Sequence, residues 1–259
     1  MSDFDRNYAA ARSAGVGRAA VIDAGLRAYM LRVYNYMAIG VALTGVAAWI
    51  TYGLAATTDP SLAVARLQNG VMLTSVGHAL FQTGFYWVLL LAPLALVFFL
   101  SFRIQKLAPA TAQGLFFFYA ALLGVSLAPI FMVYTGGSIA RVFFISAASF
   151  GALSLYGYTT QRDLGPIGAF CTMGLFGIIL ASVVGFFFPS PGLSFVISVV
   201  GVLVFAGLTA WDTQAIKEMY DVNDDGSVSG RKAIMGALRL YLDFINLFLM
   251  LLRLFGDRR

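Results

Sequence analysis

Residues 193–216 read LSFVISVVGVLVFAGLTAWDTQAI, and residues 233–255 read AIMGALRLYLDFINLFLMLLRLF. Each run is long enough to cross the hydrocarbon core of a bilayer as a helix, which takes about 17–25 apolar residues. The acidic residue of the first run is Asp212, and that of the second is Asp243. Inserting an aspartate into a membrane helix costs about 2.5–3.5 kcal/mol, so it is expected to face a polar interior or a partner. Two aspartates on successive helices predict a shared site.

The rest of the chain follows the same pattern. Further apolar runs cover residues 33–56, 85–102, 111–134, 141–159 and 164–188. Hydrophobic residues make up 60% of the chain and charged residues 11%, whereas a soluble domain carries about 25% charged residues. Because lipid offers no partners for backbone polar groups, each run must be a helix.

These runs predict an all-α polytopic membrane protein with seven transmembrane helices and no sheet. The predicted organisation is a cytoplasmic N-terminal segment at 1–32, a transmembrane domain at 33–256 and a C-terminal tail at 257–259. The long connection at 57–84 is expected to hold a short helix of its own.

Arginine and lysine placement predicts the orientation, because cytoplasmic loops of membrane proteins are enriched in both. Basic residues concentrate in the N-terminal segment and in the loops after runs two, four and six. The N-terminus is therefore expected to be cytoplasmic. Seven crossings would then place Arg253, Arg258 and Arg259 outside, against the rule. Either run seven is re-entrant or this end departs from the rule, and the sequence leaves both open.

Other features of the chain exclude several function classes. The single cysteine, Cys171, permits neither an internal disulfide nor a cysteine metal site, and no cofactor is expected. The net charge of +5 comes from arginines beside apolar spans, which indicates the lipid bilayer rather than nucleic acid as the partner. The loop at 221–232 imitates a calcium-binding EF-hand loop, but Lys232 stands where that motif needs a bidentate glutamate. It is interpreted as a solvated turn.

The two aspartates are expected to lie at similar depth. Run six travels inwards and places Asp212 near its cytoplasmic end. If Arg239 extends to the interface at the start of run seven, Asp243 lies about 6 Å deeper. Two carboxylates that close in a low dielectric cannot both ionise cheaply. They could share one proton, or bind a hard cation such as calcium transiently through their oxygens.

Three stretches make the chain similar to a known family. FAGLTAWDTQ at 205–214, LYLDFINLFL at 240–249 and GALSLYGYTT at 151–160 resemble the transmembrane Bax inhibitor motif family, in its bacterial inner-membrane members. The resemblance implies six helices around a central seventh and a pH-sensitive calcium leak controlled by paired aspartates. By motif, those aspartates are Asp212 and Asp243.

The resemblance also implies an arginine of the second helix that latches the aspartate pair in the closed state. Arg103, at the cytoplasmic end of run two, is the candidate latch; the alternative is an ordinary basic residue at the membrane surface. Bacterial members of the family further resemble modulators of a membrane-bound AAA protease. The alternative function is thus a non-conducting regulatory partner of a membrane protease complex.

An enzyme is a third alternative, because paired aspartates on neighbouring helices also suit an intramembrane aspartyl protease. Such proteases carry a Gly-x-Gly-Asp pattern, whereas residues 240–243 read LYLD. The sequence therefore favours a cation leak without enzymatic activity.

Overall fold

The computed structural model describes residues 3–67 and 70–259, with side-chain positions from Asp23 onward. Much of the predicted segment at 1–32 therefore lies outside the described side chains. The helices are α1 Asp3–Ala55, α2 Ser75–Phe81, α3 Phe85–Arg103, α4 Pro109–Leu127, α5 Ile130–Val133, α6 Gly136–Thr159, α7 Gly165–Phe187, α8 Pro191–Glu218 and α9 Gly226–Phe255. In this described range, seven helical segments are long and apolar enough to cross a membrane.

The membrane spans are α1 from Asp23, α3, α4 continued by α5, and α6 to α9. The prediction of a polytopic protein with seven transmembrane helices is therefore confirmed. Helix α9 is the most enclosed span: 67% of its most apolar stretch is buried, against 17–44% for the corresponding stretches of the others. It packs against α1, α4, α6 and α8, while α3 packs on α4 and α7 packs on α8. An arrangement with all six spans around the seventh stays a prediction.

The prediction of no sheet is wrong at one place outside the membrane. The connection after α1 contains β1 Ala56–Thr57, β2 Ala65–Arg66 and β3 Met72–Leu73, paired antiparallel in the order β1-β3-β2. Gly70 has φ 87°, which glycine adopts without steric cost, and the chain reverses there between β2 and β3. The short helix expected in this connection is α2, whose first turn is capped by the Thr74 hydroxyl.

Helix α9 crosses the bundle completely. At the face where the first span begins, called here the Arg27 face, the Tyr220 ring before α9 packs on Tyr29 of α1. At the opposite face, called here the Tyr134 face, the backbone N–H of Arg259 donates to the Val133 carbonyl at 2.9 Å. Asp257 there pairs with Arg141 at 2.7 Å. The re-entrant alternative is therefore excluded, and the C-terminal arginines lie at the Tyr134 face.

A proline inside α3 is compensated by the neighbouring helix. Pro93 has no N–H, so the carbonyl of Leu89 one turn earlier loses its normal helical donor. The hydroxyl of Ser126 on α4 donates to that carbonyl at 2.6 Å. In a bilayer an unsatisfied carbonyl would cost several kcal/mol, so this bond allows α3 to continue through the proline. Pro129, by contrast, marks the break between α4 and α5.

Replacing Ser126 with alanine is expected to lower the free energy of unfolding by about 1–3 kcal/mol, the cost of an orphaned buried acceptor. Replacing Pro93 with alanine restores a backbone donor for Leu89, so the same Ser126→Ala change should cost less in that background. Thermal unfolding of the four proteins in detergent measures this coupling. Equal costs of Ser126→Ala in both backgrounds would contradict the proposed compensation.

Candidate functional site

Small residues let α8 approach its neighbours closely. A Cβ added to Gly157 of α6 would lie 2.1 Å from the Ala210 carbonyl oxygen, and one added to Gly168 of α7 would lie 2.1 Å from the Trp211 ring. On α9, an added Cβ at Gly236 would lie 2.9 Å from Ile216. Small residues at such positions allow tight packing of membrane helices. This packing fixes α8 at the level of Asp212.

The structure brings the two predicted aspartates together. Asp212 of α8 is 8% exposed and Asp243 of α9 is 5% exposed. Their carboxyl groups lie within side-chain hydrogen-bonding reach of each other. Oδ2 of Asp243 has no hydrogen-bond donor among the described residues. Since a carboxylate only accepts hydrogen bonds, this contact becomes a hydrogen bond only when one of the two groups carries a proton.

Arg239 supplies the positive charge beside this pair. Its Nη1 lies 3.4 Å from Oδ1 of Asp212, and the two side chains are 40% and 11% exposed respectively. Arg239 precedes Asp243 by four residues on α9, so both side chains lie on the same face of that helix. The guanidinium therefore reaches from α9 to the carboxylate of α8 while its outer part stays accessible.

The candidate latch Arg103 lies elsewhere in this structure. It is exposed in the last turn of α3 and makes no ion pair with either aspartate among the described residues. Sequence reasoning placed Arg103 on the correct face of the bundle, but the arginine beside Asp212 is Arg239. A latching role of Arg103 in another conformation stays a prediction.

Hydroxyl groups next to the pair are already engaged. Thr213 Oγ1 donates to the Thr209 carbonyl at 2.8 Å, and Ser154 Oγ of α6 lies 3.2 Å from Thr213 Oγ1. A hydroxyl has a single proton, so Ser154 must be the donor in the second contact. Neither hydroxyl is left to donate to the aspartates.

On the side of α9 away from Asp243, Tyr241 joins this helix to α1 by a hydrogen bond. This ring is fully buried, and its hydroxyl lies 2.6 Å from Thr44 Oγ1. Thr44 also contacts the carbonyls of Gly40 and Ala120, at 3.0 and 2.9 Å. Tyr241 and Asp243 are two positions apart, so they point to different sides of the helix. The sequence signals were a polar Thr44 in an apolar run and a tyrosine beside the motif aspartate.

A second contact missed from the sequence holds the α6–α7 turn. The Gln214 side chain accepts from the Leu164 N–H and donates to the Arg162 carbonyl, both at 2.8 Å. Lys217 donates to the Tyr158 carbonyl at 2.8 Å. Gln214 lies two positions and Lys217 five positions after Asp212 on α8. They satisfy backbone groups in the last turn of α6 and in the connection from α6 to α7.

The loop that imitates an EF-hand has other contacts. Asp225 caps α9 by accepting from the Val228 N–H at 2.7 Å, and Asp221 accepts from the Asn223 N–H at 2.9 Å. Asp224 pairs with Lys232 at 2.6 Å, so the ammonium group of this lysine already neutralises that carboxylate. Within the described residues, no group of three or more His, Cys, Asp or Glu side chains could hold a metal ion. Cation binding at the aspartates would therefore rely on the two carboxylates together with water or backbone oxygens.

Such an arrangement can do two things chemically. The carboxyl pair can hold a proton between its members, and it can exchange that proton or the Arg239 contact for a cation. Both processes change the charge at the contact between α8 and α9, the two most buried spans.

Comparisons with known proteins agree with these motifs. The family described as inhibitor of apoptosis-promoting Bax1 matches residues 26–259. The inner membrane protein YbhL of Escherichia coli K12 is 46% identical over 238 residues, covering 91% of this chain and 94% of YbhL. Protein RP147 of Rickettsia prowazekii is 49% identical over 239 residues, 92% of each chain. A Caulobacter vibrioides protein is 42% identical over 261 residues, the full length of both.

The match covers nearly all of the described transmembrane region, and the relatives include proteins named as inner membrane or membrane proteins. The predicted resemblance and the multi-pass inner-membrane location are therefore confirmed. This chain belongs to the Bax inhibitor-1 family of membrane proteins.

Proposed function

We propose that this chain is a pH-sensitive cation leak, with calcium as the cation, gated by the Asp212–Asp243 pair. The observation that carries the proposal is a pair of buried carboxyl groups in mutual reach, of which one oxygen has no donor among the described residues. Family membership supports it. A buried acidic pair has a cost in folding, which argues for a role in function.

The charges at the pair suggest how the gate works. Two carboxyl groups, one shared proton and Arg239 together carry no net charge. Loss of the proton leaves one net negative charge in the protein interior, which favours separation of α8 and α9 or binding of a cation. Further protonation neutralises Asp212 and releases Arg239. Flux is expected to change between about pH 5 and pH 8. Whether it rises or falls with pH depends on which of these two events opens the path.

Purified protein in liposomes loaded with a calcium-sensitive dye tests the proposal directly. We expect calcium flux above that of protein-free liposomes, with a rate that changes across this pH interval. Asp212→Asn keeps the size of the side chain and removes its titration, so it should alter the pH profile. Flux equal to that of empty liposomes at every pH would overturn the proposal.

Replacing Arg239 with glutamine separates the two gating events. The ion pair is partly exposed and worth about 1 kcal/mol, so its loss should raise the flux at neutral pH about fivefold if Arg239 holds the gate closed. Arg253→Gln, on the same helix at the Tyr134 face, is the matched control. An unchanged flux with an unchanged pH profile would exclude Arg239 from gating and leave the shared proton as the sensor.

The alternative functions have distinct outcomes in the same preparation. A regulatory partner of a membrane protease would conduct no calcium, but would alter the activity of that protease. An intramembrane aspartyl protease would cleave a transmembrane peptide and lose this activity in Asp243→Asn. The sequence disfavours the protease, because residues 240–243 read LYLD where such proteases carry a Gly-x-Gly-Asp pattern. We therefore propose a protein without enzymatic activity.

We further propose that the Arg27 face is cytoplasmic. Arg103, Lys106, Arg162 and Lys217 belong to the loops and helix ends at this face, as positive residues do on the inner side of membranes. The C-terminus would then lie outside. An alkaline phosphatase fused after Arg259 should be active in cells. If that fusion is inactive and a fusion before Asp23 is active, the orientation is opposite to the one proposed.

A further inference from the structure

A lateral groove opens between α1 and α6, and neither aspartate of the pair lines it. Towards the Arg27 face it is a cavity of about 560 Å³, lined by the residues around Met30–Ala38 on α1 and Phe150–Tyr158 on α6. Towards the Tyr134 face a second cavity of about 270 Å³ lies between the same two helices, with residues of α4, α5 and α9 completing its wall. The two cavities follow one another along the boundary between α1 and α6.

The groove is apolar along its length and positively charged at one end. Arg27 lines the larger cavity, is exposed, and makes no hydrogen bond or ion pair with the other described residues. Lys217 lies near the same end, with its Nζ 5.5 Å from the Tyr158 ring centroid. An apolar groove with a positively charged side chain at its end matches an amphiphile with an apolar tail and an anionic headgroup.

We propose that this groove binds one acyl chain of an anionic phospholipid, with the lipid phosphate at Arg27. The bilayer supplies this ligand at high local concentration, and basic residues at the membrane surface attract anionic lipids. A cavity with an arginine at its end distinguishes this site from the annular lipid around the other spans, since Arg103, exposed at the same face, lines neither cavity. The acyl chain would lie against Phe150 and Ser154. Phe150 contacts Phe244 and Ser154 contacts Thr213, which are the sequence neighbours of Asp243 and Asp212.

Two glycines allow a matched test of the groove. A Cβ added to Gly151, which lines the larger cavity, meets nothing within 4 Å, and the same holds for Gly177 of α7. Gly151→Phe should therefore fill the groove without displacing backbone, while Gly177→Phe adds the same side chain at a place outside both cavities. Arg27→Gln removes the charge at the groove end, and Arg103→Gln removes an exposed charge from the same face.

Native mass spectrometry of the detergent-purified full chain, titrated with phosphatidylglycerol or phosphatidylcholine, measures the binding. We expect one tightly retained phosphatidylglycerol on the wild type, lost in Gly151→Phe and retained about fivefold more weakly in Arg27→Gln. Both control variants should bind as the wild type does. Equal retention of the two lipids, or equal weakening in Arg103→Gln, would overturn the proposal in favour of a general surface attraction.

Photo-crosslinking provides a readout that does not depend on a variant. A phosphatidylglycerol with a diazirine in its acyl chain should label peptides containing residues 30–38 and 150–158 preferentially. Labelling spread evenly over α3 and α7 would show annular lipid only and would contradict a groove site. Because neither measurement involves ion flux, failure of this inference is distinguishable from failure of the proposed leak.

Discussion

Replacing Asp243 with asparagine is expected to stabilise the fold and, in the same protein, to remove the pH dependence of calcium flux. The Asp243 side chain is buried, and its Oδ2 has no donor among the described residues. Asparagine keeps the size, removes a titratable group and offers an N–H to the facing carboxylate of Asp212. A hydrogen bond to a charged group contributes about 1.5–3 kcal/mol. A gain of about 2 kcal/mol in the free energy of unfolding is therefore expected at a pH where the wild-type pair has lost its shared proton, and little gain where that proton already bridges the pair.

Thermal unfolding in detergent and dye flux in liposomes, both across pH 5 to 8, check the two halves of this prediction. Asp212→Asn is the informative comparison, because it removes the carboxylate that Arg239 contacts at 3.4 Å. That variant should gain less stability than Asp243→Asn. If Asp243→Asn unfolds at a lower temperature than the wild type, the buried carboxyl group has a donor in the folded protein and stabilises it. If the fold is stabilised while the pH profile stays the same, the pair is structural rather than a sensor.

The aspartate pair was predictable from the sequence because of a simple rule of composition. Acidic residues inside apolar runs are rare and costly, so Asp212 and Asp243 stood out, and the depth of each within its helix predicted their meeting. The seven spans followed from the same hydropathy pattern. Both arguments use only the hydropathy of single helices and the depth of a residue along its own helix. The local sequence is enough for both, because neither depends on how the helices pack.

The contacts of Arg239 could not be derived in the same way. Its position at the start of a span predicts a side chain directed to the membrane surface, and its accessible outer part agrees with that. Its contact with Asp212 depends on the distance between α8 and α9, which is set by close packing such as that of Gly236 against Ile216. The bond from Ser126 to Leu89 likewise depends on which helix lies beside the proline. The two-residue strands of the connection after α1 are too short to produce any periodicity.

The packing at Gly157 is expected to tolerate little change. A Cβ at this position would lie 2.1 Å from the carbonyl oxygen of Ala210, which belongs to the backbone of α8 and cannot turn aside as a side chain would. Gly157→Ala should therefore push α6 and α8 apart. Such overpacking costs about 3 kcal/mol or more, and this change would also separate Ser154 from Thr213 next to Asp212.

Gly151→Ala on the same helix gives the opposite expectation. Nothing lies within 4 Å of its added Cβ, and alanine in a helix interior is more favourable than glycine by about 0.5–1 kcal/mol. The two variants make the same chemical change six positions apart in one helix, so their unfolding temperatures in detergent should move in opposite directions. A shift of the same sign and size in both would mean that helix propensity, rather than the contact between α6 and α8, decides the effect. In that case the close approach that places α8 and its Asp212 beside α9 would not depend on Gly157.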